Sequence, residues 1–102
     1  MNQTAYKTFA DFYPFYLSEH SDRTCRRLHF VGSSLVLLVV AYVIATANLL
    51  ALLLVPVIGY GFAWVGHFFF EHNRPATFKY PFYSFIGDWV MYKEILSGKI
   101  RF

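Results

Sequence analysis

Four histidines, a glutamate and an arginine carry most of the chemistry this sequence can do. His67 and Glu71 stand four residues apart in Trp64-Val65-Gly66-His67-Phe68-Phe69-Phe70-Glu71-His72-Asn73-Arg74-Pro75. On a helix that spacing stacks both side chains on one face. An imidazole and a carboxylate so placed can ligate one metal ion, or form a hydrogen-bonded couple at a helix end. His72 lies about 140° round a regular helix from His67, so the two share an ion only if the helix unwinds before Pro75. Arg74 offers a bidentate fork for a substrate carboxylate, or a cationic anchor beside a membrane. Asp88 reads as a further ligand or as the partner of an arginine, and Asn73 as a helix-end residue. Cys25 is the lone cysteine, so it builds no disulfide framework.

The elements that must position these groups are apolar. Of 102 residues, 57% are hydrophobic, 22% aromatic and only 15% charged. So small a chain has no interior able to hide that much apolar surface. Lipid is the simplest outlet. Leu28 to Ala47 is a run of twenty residues without a formal charge, and Leu49 to Phe70 is another of twenty-two. Each is long enough to cross a hydrocarbon core of about 30 Å at about 1.5 Å per residue. Asn48 marks the turn between them. The sequence therefore predicts an all-α fold, an integral membrane helical hairpin of two spans flanked by amphipathic helices, about four helices in total.

The chain reads as a single membrane domain over residues 1–102. Residues 1–22 form an interfacial lead-in, with Phe9, Phe12, Tyr13, Tyr16 and Leu17 at helical spacing and Pro14 predicting a kink or a late start. They have no apolar core followed by a cleavage site, so they do not read as a signal peptide. Span 1 covers 24–47 and span 2 covers 49–73. Ser34, Ala41 and Ala45 face Gly59, Ala63 and Gly66 in the expected packing of small residue on small residue. A last amphipathic helix covers 84–97, capped by Ser84 and striped by Phe85, Ile86, Trp89, Tyr92 and Leu96. Arg23, Arg26 and Arg27 precede span 1 and Arg74 and Lys79 follow span 2, which predicts a multi-pass protein with both termini cytoplasmic. That membrane is the bacterial inner membrane, or the endoplasmic reticulum in a eukaryote. Arg26 and Arg27 are expected to face anionic headgroups. No interleaved basic and aromatic array suits a nucleic acid.

The hairpin turns sequence position into depth. His20, His29, His67 and His72 all fall at its cytoplasmic end, and none lies at mid-span or at the turn. Several imidazoles with a carboxylate suit zinc or a first-row redox metal such as iron. Three rival classes remain on spacing alone. The histidines could be interfacial anchors of a structural, lipid-organising hairpin, axial ligands of a b-type haem, or ligands of a bare metal ion.

The blocks Phe15-Tyr16-Leu17-Ser18-Glu19-His20, His29-Phe30-Val31-Gly32 and Gly66 to Phe78 resemble the Mpo-like family of small membrane proteins, over nearly the whole chain. The resemblance implies an iron(II)-dependent dioxygenase that takes one carbon from a 2-hydroxy fatty acid in α-oxidation, with O₂ as co-substrate. His20, His29 and His67 match the family's histidine positions and Glu71 its acidic position. The metal set is therefore expected among His20, His29, His67, Glu71 and His72. Glu71 serves as ligand or as the carboxylate orienting an imidazole, and Arg74 as clamp on the substrate carboxylate. Fe(2+) is the expected cofactor and Zn(2+) its competitor. Membrane lipid is the expected surrounding partner, and a homo-oligomer is compatible with the sequence.

Overall fold

The computed structural model describes residues 6–102, so the first five residues of the lead-in lie outside the described residues. Helix α1 spans Phe9–Ser18, α2 Arg23–Thr46, α3 Leu54–Val65 and α4 Pro81–Leu96. A 3₁₀ turn at Leu49–Leu53 leads into α3, and a π-helical turn at Gly66–Glu71 continues it. No strand occurs among the described residues. Two helical stretches are long and apolar enough to cross a membrane, Arg23–Thr46 and Leu49–Glu71.

Capping chemistry fixes the starts. The Thr8 side chain accepts from the Asp11 amide at 3.1 Å, and Asp22 accepts from the Cys25 amide at 3.0 Å. Each satisfies one of the amides a helix start leaves free. Pro14 neither delays nor ends α1. It sits on the exposed face, where its missing donor costs one bond. Helix α2 closes with Ala47 in the left-handed region at φ 57°, and the chain reverses at Asn48 into α3.

Helices α2 and α3 pack along their length, though not by the expected stripe. Ala41 and Ala45 are exposed, and the Ser34 hydroxyl meets that of Tyr92 on α4 at 2.9 Å. The buried face of α2 is Cys25, His29, Gly32, Val36 and Val43. A Cβ on Gly32 would stand 2.8 Å from the Phe62 Cβ, and one on Gly66 3.0 Å from the Cys25 sulfur. Small residues do bring the two helices together: Gly59 and Gly66 lie against α2 as expected, and on α2 itself Gly32 takes the place of Ser34, Ala41 and Ala45.

The aromatic core lies at that same end, outside the hairpin. Phe12, Tyr16, Ala76, Tyr80, Met91 and Ile95 are its buried members. Fully burying one side chain such as Phe12 or Met91 contributes about 1.5–3 kcal/mol. Helix α4 starts at Pro81, three residues before the expected cap, because proline at the first turn has no amide to satisfy. Its buried face is Ser84, Gly87, Met91 and Ile95, whereas Phe85 and Leu96 are 62% and 63% exposed. The ends of the aromatic stripe face outward, while Trp89 and Tyr92 between them are half-buried, Tyr92 stacked on Phe30 of α2. The inward face uses small residues, since a Cβ on Gly87 would meet the Tyr16 ring at 2.9 Å. The outer surfaces of the 3₁₀ turn, α3 and the π turn expose Leu53, Leu54, Val57 and Phe69, which suits lipid contact and not a water interface.

Candidate metal centre

His20, His29 and His67 converge. They come from the α1–α2 junction, the second turn of α2 and the π turn, and they are 2%, 7% and 2% exposed. His20 Nε2 lies 3.2 Å from His29 Nε2 and 3.0 Å from His67 Nε2. All three offer ligand atoms within 4.8 Å of one another.

Their outer nitrogens decide what the inner ones can do. His20 Nδ1 donates to the Tyr16 carbonyl at 2.7 Å, and His29 Nδ1 donates to the Cys25 carbonyl at 3.0 Å. Both use the carbonyl four residues back along the helix. His67 Nδ1 donates to Asn73 Oδ1 at 2.7 Å, while Asn73 Nδ2 donates to the Glu19 carbonyl at 3.0 Å. With each Nδ1 protonated, each neutral ring presents a bare lone pair at Nε2. Three acceptors facing one another at hydrogen-bond distance have no proton to share. A cation is what such a chamber suits. Ligand bonds of about 2.0–2.1 Å at angles between 90° and 110° put nitrogens about 2.9–3.4 Å apart. The donor set fits a first-row divalent ion.

The π turn makes this geometry. Its last residue is followed by His72 in the left-handed region at φ 59°, and the Asn73 amide closes onto the His67 carbonyl at 3.0 Å. This resembles a Schellman closure, with a longer reach. A π turn inserted into an α-helix is a recurring device at functional sites. Here it ends span 2 with Asn73 back against the ring of His67, six residues earlier.

The other expected residues stand apart from the three rings. Glu71 accepts from the Ser21 hydroxyl at 2.7 Å and from the Asp22 amide at 2.6 Å, tying the π turn to the start of α2. A carboxylate there also complements the positive end of the α2 dipole. His72 and Arg74 are exposed. Asp88 pairs with no arginine and instead accepts from the Tyr16 hydroxyl, whose ring stacks on His20 with centroids 4.0 Å apart. Arg26 donates to the His20 and Ser21 carbonyls, and the Arg27 guanidinium lies over the Phe102 ring. Arg26 is half-buried by these bonds, whereas Arg27 remains exposed. Cys25 is buried, its sulfur 3.8 Å from His29 Nδ1. Asn73 and Tyr16 are the supporting residues that sequence reasoning missed. The four-residue spacing of Tyr16 and His20 was a signal, whereas the six-residue spacing of His67 and Asn73 matches no regular helix.

Burial and the neighbouring imidazoles hold His20 well below the ordinary 6.5, so it is neutral and ready to ligate near pH 7. Burial pushes Asp88 up from 3.8 to about 6, against the hydrogen bond from Tyr16. The two act on stability in opposite directions. His20, depressed when folded, stabilises fully above 6.5, and that contribution is lost as pH falls. Asp88, raised when folded, stabilises below 3.8, and its contribution is lost as pH rises through about 6. The metal-free protein is expected to lose stability from pH 6.5 downward, with Asp88→Asn giving the steeper acid limb because it removes the offset. Denaturant unfolding in detergent between pH 8 and 5 checks this; parallel profiles would count against the assignment.

A family model described as 2-hydroxy-palmitic acid dioxygenase Mpo1-like matches residues 6–100 of the chain. No curated protein matches it. No solved structure matches it either.

Proposed function

Because the chain belongs to this Mpo1-like family, we propose that it is a metal-dependent membrane dioxygenase that shortens a 2-hydroxy fatty acid by one carbon. The single observation that carries the reading is the set of three inward Nε2 lone pairs, fixed by three outward hydrogen bonds. His20, His29 and His67 would hold iron(II), which when bound supplies the redox and Lewis-acid chemistry of O₂ activation. One 2-hydroxy acid and one O₂ balance to the shorter acid, carbon dioxide and water, so no further reductant is needed.

The residues of this chain do the rest. Asn73, Tyr16 and the Cys25 carbonyl hold the rings in one tautomer, as partners behind metal-bound histidines commonly do. Glu71 locks the π turn to the α1–α2 junction and so fixes the distance between His67 and His20. Arg74 is exposed seven residues after His67, and is the cation to meet a substrate carboxylate arriving from the membrane surface. The two apolar helices would span the bilayer with both chain ends cytoplasmic, which puts the histidines near the headgroups. A polar-headed lipid then reaches the ion without crossing the hydrocarbon core.

A haem fits less well. Nε2 atoms aimed at one another within 3.2 Å leave no room for a porphyrin plane between them. Zinc suits the same nitrogens. Protein purified anaerobically in detergent is expected to contain about one iron per chain and no Soret band. It should consume O₂ with a 2-hydroxy acid and yield the acid one carbon shorter. Iron-loaded protein that leaves every 2-hydroxy acid unchanged would refute the dioxygenase reading.

A further inference from the structure

Two cavities meet at His29. The smaller, about 20 Å³, is walled in part by His20, His29, His67 and Ser84. That is room for a group about the size of one water. The larger, about 250 Å³, runs away from it between α2, α3 and α4, past Ala63 and Gly59 to Val36, Val55 and Pro56. His29, Tyr60, Ala63 and Asp88 line both. The two spaces therefore adjoin across these four residues, where a neck between them would lie.

Ser84 is the telling residue. It is 3% exposed, and its hydroxyl has no hydrogen-bond partner. A helical serine ordinarily bonds the carbonyl four residues back. The Tyr80 carbonyl here receives the Ser84 amide, but the hydroxyl does not bond it. A buried polar group left unpaired is costly, and the large majority have a partner. Nothing else in the wall of the small chamber supplies one. The partner comes from what the chamber binds.

We infer that the two cavities form one binding site for a single-chain amphiphile, with its oxygen-bearing head against Ser84 and the histidines and its saturated tail in the larger cavity. This rests on the reading of the site as one for a 2-hydroxy acid. Ser84 donates to a head-group oxygen, Ala63 keeps the neck open, and Val55 with Pro56 forms the far wall that limits the length of enclosed chain. Along α2, His29 to Val36 is seven residues, or about 10 Å of helix. Only the first part of a long acyl chain is enclosed. The remainder lies in the bilayer.

The test is calorimetric binding of 2-hydroxybutanoate, 2-hydroxyhexanoate and 2-hydroxyoctanoate to zinc-loaded and metal-free protein in nanodiscs under nitrogen, corrected for partition into empty nanodiscs. Binding is read without turnover. Affinity of the wild type should rise about fourfold per methylene along the series. Ser84→Ala should weaken every member by about tenfold. Ala63→Phe should abolish the gain with chain length while zinc stoichiometry stays at the wild-type value. Val55→Ala, which removes bulk and so folds more safely, should extend the gain to longer chains. If Ser84→Ala and Ala63→Phe both bind the series as the wild type does, the inference is overturned, and a lipid tail or the outer surface takes the chain's place. If the protein takes up no metal yet keeps the chain-length gain and its loss in Ala63→Phe, the amphiphile site stands and the dioxygenase reading falls.

Discussion

Alanine in place of His67 is expected to abolish metal binding while leaving the helices folded. The wild-type chamber holds three imidazoles with their lone pairs turned inward, and two are too few to retain an ion against a chelator. The loss should exceed the about 10–100-fold typical of removing a supporting residue. Thermal unfolding in detergent reads the same effect. A ligand at a hundred times its dissociation constant stabilises by about 2.7 kcal/mol, so added iron(II) or zinc should raise the wild-type midpoint clearly. His67→Ala should not respond. Its metal-free stability should fall little, since the substitution also removes one of three mutually repelling acceptors. His20→Ala and His29→Ala should behave alike. His72→Gly is the informative contrast. His72 is exposed and left-handed at φ 59°, a conformation glycine adopts without strain, so this variant should bind metal as the wild type does. Stoichiometric metal in His67→Ala would sink the three-histidine centre.

Asn73→Leu is expected to weaken metal affinity about 10–100-fold without removing any ligand. Asn73 accepts from His67 Nδ1 and donates to the Glu19 carbonyl, so one side chain sets a tautomer and ties two segments. Leucine keeps the approximate volume and supplies neither bond. Freed of its acceptor, His67 can carry its proton on Nε2, where it blocks the metal. Asn73→Asp separates the two functions. A carboxylate still accepts from Nδ1 but cannot donate to Glu19, so it should recover most of the affinity at some cost in stability. Nitrogen chemical shifts of the metal-free protein give a direct readout. The wild type should show the Nδ1-protonated form of His67, and Asn73→Leu a mixture. A pure Nδ1-protonated ring in Asn73→Leu would mean that Asn73 supports the fold alone.

Charge-free runs of twenty and twenty-two residues, broken by one turn residue, determine two apolar helices in hairpin order, each long enough to cross a membrane. Run length and helical rise are properties of the chain itself and need no knowledge of packing. The same arithmetic puts His20, His29, His67 and His72 at one end. Spacing also finds the lead-in helix, whose Phe12 and Tyr16 are buried as their periodicity requires. What the sequence could not decide was which polar groups meet. His67 and Glu71 share a helical face on paper, yet a π turn sends the glutamate to the α2 start and brings in Asn73. The aromatic stripe of α4 reads as an amphipathic face and Ser84 as its cap, but Ser84 lies inside the helix and faces inward with Gly87, which leaves room for the large Tyr16 ring. Periodicity reports that a helix has an apolar face. It does not say whether lipid or protein covers that face, and in a membrane both are apolar. Tertiary structure alone decided that, and with it the three rings, the asparagine behind one of them and the unpaired serine beside them.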